Sequence, residues 1–194
     1  MVPAPDPNGW VTLTSFAADP HARKGHAGPN LGNTWYDRSV YAFFGFTDLG
    51  ITNEIWAYEL QDLSWRRITA ADNLIRQFGN GTSIQLGGGA QTDAEVLPAA
   101  RVYSTGVQLD GGTVVLFGGL SAVTDAGRHA FSDVWTFRKS APFKGLEFNV
   151  LTKLTPLAVA PEGRFQHAAT RCGACLWFSV GSCALNCDAC ACTV

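Results

Sequence analysis

The chain has 194 residues, a formal charge of −2 and only 15% charged side chains, against roughly 25% in ordinary soluble domains. Its 14 Lys and Arg are neither abundant nor clustered, so no nucleic-acid partner held through a basic footprint is expected. Hydrophobic residues at 46%, with 21 Gly, 12 Phe, 6 Trp and 4 Tyr, exclude a disordered chain and point to short strands joined by tight turns.

The first residues, Met1 to Pro7, carry no basic start and no apolar core of a signal segment. The longest apolar stretch, Cys175 to Leu185, is too short to cross a bilayer. A cytoplasmic protein with no membrane partner is therefore the expectation. Trp10 to Leu13 reads as the last strand of a preceding unit.

Pro20 opens a first unit. It contains Arg23, His26, the apolar run Val40-Tyr41-Ala42-Phe43-Phe44 closed by Gly45, then Glu54-Ile55-Trp56, and last Trp65 with Ile68. A second unit opens at Pro98. Arg101 is followed at three residues by Ser104 and at seventeen by Gly118, through the run Val114-Val115-Leu116-Phe117. That run is too short for a helix and is built from strand formers after an Asp110-Gly111-Gly112 turn signal. Gly118-Gly119 stops it, and Asp133-Val134-Trp135 and Phe148 follow. A third unit opens at Pro161, with Arg164, His167 at three residues and Gly181 at seventeen. Proline suits each opening because it lacks the amide that a central strand would use. Aligning the glycines places Gly45 opposite Gly118.

Between the first two units, residues 69–97 are an insertion. Leu74, Ile75 and Phe78 share one side of a short helix predicted over Thr69–Phe78, with Gly79 closing it. Gly87-Gly88-Gly89 reads as a hinge, since it lacks the lysine and the strand-to-helix setting of a phosphate loop.

A repeat of this size outranks any local motif. The order of Arg, His, glycine-stopped apolar strand and spaced aromatics resembles the Kelch repeat, a roughly fifty-residue unit of β-propellers. The marks stand as Arg23, His26, Gly45, Trp56 and Trp65; as Arg101, Gly118, Gly119 and Trp135; and as Arg164, His167 and Gly181. Gly45-Phe46 and Gly181-Ser182 lack the second glycine, Ser104 replaces a histidine, and Phe148 replaces a tryptophan.

The resemblance implies an all-β chain, a partial, open Kelch-type propeller over residues 1–182 whose blades have four antiparallel strands. Blade-like units fall at about 20–68, 98–155 and 161–182, followed by a Cys-rich tail, 183–194. In the second unit the strands are expected near Tyr103–Leu109, Thr113–Phe117, Asp133–Arg138 and Glu147–Leu154. Open sheet edges would favour self-association. The recurrent Arg, His and Trp residues are assigned to packing, and no catalytic residue and no cofactor is expected.

In this geometry the connection between second and third strands and the links between units emerge on one face. The insertion 69–97 and the long connection after Gly119 both lie there, and rigidly held loops are where recognition concentrates. Arg76, Asp93, Glu95, Asp125, Arg128 and His129 are the candidate contacts of a protein partner. The function implied is a non-enzymatic interaction scaffold, part of a larger propeller. The alternative is a propeller similar to the copper-radical oxidases of the galactose-oxidase kind, against which Tyr36, Tyr41, Tyr58 and Tyr103 are remote in sequence from every cysteine.

All six cysteines fall between Cys172 and Cys192. Two CxxC pairs, Cys172/Cys175 and Cys187/Cys190, offer four thiolates to a structural zinc or to disulfides. An eleven-residue spacer is short for the zinc pattern, and the first pair occupies a predicted hairpin turn.

Overall fold

The computed structural model describes residues 7, 20–28, 39–68, 74–78, 83–86, 97–109, 112–125, 127–139, 149–154, 161–172 and 175–180. Among these the chain is all-β, with no α-helix. No helix is long and apolar enough to cross a membrane among the described residues. Strands β1 (Ser39–Thr47), β2 (Gly50–Glu59) and β3 (Ser64–Ile68) form one antiparallel sheet. Strands β4 (Leu74–Phe78) and β5 (Ser83–Leu86) follow as a hairpin. Then β6 (Thr105–Gln108), β7 (Val114–Phe117), β8 (Val134–Lys139) and β9 (Asn149–Leu154) make an antiparallel meander, within a few residues of the four strands expected there. A last hairpin joins β10 (His167–Cys172) to β11 (Cys175–Val180).

The meander forms the middle layer. On one of its faces Val114, Leu116, Trp135, Phe137 and Leu151 meet Tyr41, Phe43, Ile55, Ala57 and Ile68 of the first sheet in one buried cluster. The Phe137 ring stands edge-on to Tyr41 at 5.0 Å and to Phe43 at 5.3 Å. On the opposite face Phe117 meets the His167 ring of β10 edge-on at 5.3 Å. A strand covered on both sides has no solvent face to keep polar, which is why β7 is an unbroken apolar run with all four residues buried. Each such side chain contributes about 1.5–3 kcal/mol through burial.

The segment Leu74–Phe78 is a strand, not the predicted helix: β4 pairs in parallel with β9 and antiparallel with β5. Leu74, Ile75 and Phe78 fit a helical stripe equally well, but the free edge of β9 offers a row of amides and carbonyls that a helix at that site leaves unbonded. The insertion thus widens the middle sheet to six strands instead of standing only as a loop, and Arg76 lies inside β4 in register with Leu151.

The register of the first unit also shifts. Leu116 pairs with Trp135 and Phe117 with Val134, as Ala42 pairs with Trp56 and Phe43 with Ile55. The residue matching Gly118 (φ 68°) is therefore Phe44 (φ 62°), and Gly45 (φ 110°) matches Gly119 (φ 108°). The backbone conformation repeats even where the glycine does not. Trp10, Gly87-Gly88-Gly89, Asp93, Glu95, Phe148, Gly181, Cys187 and Cys190 lie outside the described residues.

Candidate functional site

Each unit begins with an arginine whose Nε donates to the carbonyl two residues earlier: Arg23 to His21, Arg101 to Ala99, Arg164 to Glu162. In the first two units the guanidinium also reaches the carbonyl at the end of the apolar strand, Arg23 to Phe44 at 3.1 Å and Arg101 to Gly118 at 3.0 Å. It then meets a carboxylate two residues before the tryptophan. Arg101 holds Asp133 through two bonds of 2.6 and 2.9 Å, and the Trp135 indole donates to the same carboxylate at 2.7 Å. Arg23 donates to Glu54 at 3.2 Å, as does the Trp56 indole at 3.0 Å.

Burial acts to raise the Asp133 pKa, but the Arg101 bonds and charge, with Trp135 and Lys153, hold it below the ordinary value. Glu54 is held low in the same way, against burial, by Trp56, Arg67 and Arg23. Arg101 is 2% exposed, so its charge is neutralised inside the protein. The arginines and tryptophans were legible as recurrent. Glu54 and Asp133 were in the same repeated stretch but were not recognised as their partners.

His167, at the third unit's histidine position, lies 2.8 Å from the Thr105 hydroxyl of β6 and ties β10 to the middle sheet. Burial, and then the Arg164 charge, lower its pKa to about 4, leaving it neutral at physiological pH. At His26, partial covering of the ring and then Arg23 act in the same direction. Ser104 occupies the middle unit's equivalent position; it is buried, and its Oγ has no hydrogen-bond partner among the described residues.

The described residues of the connection from β7 to β8 are cross-bonded as a hairpin. Thr124 and Gly127 exchange backbone bonds, Ser121 donates to the His129 carbonyl at 2.9 Å, and the His129 amide returns to the Ser121 hydroxyl at 2.9 Å. At its base the His129 ring stands edge-on to Phe131 at 5.1 Å, and Phe131 lies over the Arg101 guanidinium at 4.1 Å. The base of the hairpin is thereby stacked on the buried arginine.

Asp125, Arg128 and His129 are all exposed on this hairpin. His129 also lines a cleft of about 420 Å³ with Leu97, Phe131, Asp133, Trp135 and Lys153. Arg76 is not on the hairpin; it sits in β4 on the other side of β9. Of the six residues expected on the loop face, Asp125, Arg128 and His129 share this hairpin; Leu97, Phe131 and Lys153, which no repeat signal marked, line the cleft beside His129. Phe46, Leu49, Val123, Leu154 and Phe165 are exposed apolar residues near this end of their strands, whereas Leu60 is exposed at the β2–β3 turn. Among the described residues no group of three or more His, Cys, Asp or Glu is placed to hold a metal.

No protein-family model matches the chain, and no curated protein does. Among the solved structures to which the chain is similar is one titled "Structure of YjhT", at 18% identity and a TM-score of 0.43, over 82% of this chain. The chain spans 34% of that protein's length.

Proposed function

We propose that the chain is part of a Kelch-type β-propeller acting as a non-enzymatic scaffold, and that it binds a protein partner through the end of its sheets carrying the 121–130 hairpin. The carrying observation is the division of labour among its polar groups. The recurrent arginines and carboxylates are spent on bonds within the fold, while Asp125, Arg128 and His129 are exposed on a hairpin braced by its own backbone bonds. Preorganised loops lose less entropy on binding. Exposed apolar residues at the same end supply area that a protein surface would cover. The antiparallel β6–β9 meander, and the carboxylate bonded to an arginine and a tryptophan in each of the first two units, support the family reading.

Cross-linking capture followed by mass spectrometry tests the proposal with the unaltered chain and with Asp125→Ala/Arg128→Ala/His129→Ala. A partner retained by the first and lost from the second, at an unchanged melting temperature, supports it. Capture indifferent to the substitutions overturns the assignment of the face. Copper bound stoichiometrically to the purified protein would favour the oxidase alternative.

A further inference from the structure

The backbone register of the last hairpin pairs Cys172 directly with Cys175, the final residue of β10 with the first of β11. Directly opposed residues of antiparallel strands have Cα atoms about 4.5–5.5 Å apart, inside the roughly 4.4–6.8 Å range of disulfide-bonded cysteines. Only Gly173 and Ala174 separate the two in sequence, so neither residue needs a distant segment to move before they meet. Arg171, the preceding residue, is exposed, which places this end of the hairpin at the protein surface.

We propose that Cys172 and Cys175 are a reversible dithiol–disulfide pair that staples β10 to β11, a modification site independent of the partner-binding reading. With oxidised glutathione as the oxidant, the thiolate of one cysteine attacks its disulfide, expelling one glutathione thiolate and forming a mixed disulfide. The second cysteine's thiolate then attacks the protein-bound sulfur, and the second glutathione thiolate leaves. The protein loses two protons and two electrons, and one glutathione disulfide becomes two thiols. A loop this short gains little chain-entropy stabilisation, so the bond is expected to be readily reduced again. Its structural effect is local: β10 carries His167, the contact to Thr105 of the middle sheet, at its opposite end.

The sequence makes the site separable from the other cysteines. Cleavage after Arg171 and after Leu176, Trp177 or Phe178 leaves Cys172 and Cys175 on one short peptide, free of Cys183, Cys187, Cys190 and Cys192. The full chain is equilibrated with glutathione buffers of increasing oxidised fraction, trapped with an alkylating agent, digested with trypsin and chymotrypsin and weighed. The expected product is that peptide without alkyl groups and lighter by two hydrogens. It should disappear on reduction, and backbone hydrogen exchange in β10 and β11 should be slower in the oxidised form. The proposal is overturned if both cysteines remain alkylatable throughout, if either is recovered only in a bridge to another cysteine, or if protection is lost on adding a zinc chelator instead of a reductant.

Discussion

The first and middle sheets are two solutions of one architectural problem, and they differ most where their frames are most alike. Both carry an arginine on a carboxylate that also receives a tryptophan indole. In the middle sheet the guanidinium grips Asp133 through two short bonds; in the first, Arg23 reaches Glu54 through one longer bond, and Glu54 also faces Arg67 at 3.3 Å. The strand ends differ too. A Cβ on Gly118 would lie 2.4 Å from the Arg164 carbonyl oxygen, so only glycine fits. At the matching place in the first sheet Phe44 keeps the same left-handed backbone, its ring 1% exposed and 5.5 Å from the Arg101 guanidinium. The repeat preserves a backbone shape and a charge pair; the side chain at each copy answers to what the next sheet leaves open.

Removing one partner of each pair should expose the contrast most strongly. Asp133→Ala leaves a buried guanidinium uncompensated and is expected to cost about 3–5 kcal/mol. Glu54→Ala, at a carboxylate with a second cation and more solvent, should cost about 1–3 kcal/mol. Urea unfolding of both variants measures the difference; equal losses would remove the distinction between the sheets.

The strand ends sharpen it next. Gly118→Ala combines a positive φ with collision against main chain and is expected to cost about 2–3 kcal/mol while loosening the β10–β11 hairpin. Phe44→Gly relieves backbone strain of about 1–2 kcal/mol but forfeits aromatic burial of about 3–5 kcal/mol. It should therefore destabilise by about 2 kcal/mol although glycine is the residue found in the other copy. Thermal melts of the two variants read these values, and a stabilised Phe44→Gly protein would show that the ring contributes less than the backbone strain at that position.

A pH dependence is expected as well, led by His167 at the boundary with the third unit and shared by His26. His167 is neutral in the folded protein down to about pH 4, whereas in the unfolded chain it takes up a proton near 6.5. The unfolded state binds more protons between those values, so stability should fall as pH drops from about 6.5 toward about 4. Asp133 and Glu54 have depressed pKa values; their contribution is full above the ordinary carboxylate range and is lost only at lower pH. Melting temperatures of the unaltered chain and His167→Asn across this window separate the two. The variant should have the flatter profile down to about pH 5, and identical profiles would rule His167 out.

The strands of the middle sheet were legible because β-branched and aromatic runs bounded by glycine have few other readings, as at Val114–Phe117. Phe44 was not, since no propensity places a phenylalanine at positive φ; the neighbouring sheet imposes it. The Arg101–Asp133 bond spans 32 residues and leaves no local pattern. β4 was misread because its edge partner, β9, is about seventy-five residues further along the chain. At the candidate site, the exposed hairpin residues could be inferred from loop length, whereas Lys153 and Leu97 reach the cleft only through the packing of separate segments.

The amide of Gly45 donates to the carbonyl of Arg101, and the amide of Gly119 to that of Arg164. Each of these bonds leaves one unit and ends in the next, so detaching any unit strands a donor on one side of the break or an acceptor on the other. A chain wired in this way should not shed its sheets one by one. Heat should take it apart in a single step, with the seams between units as tightly coupled as the strands inside them.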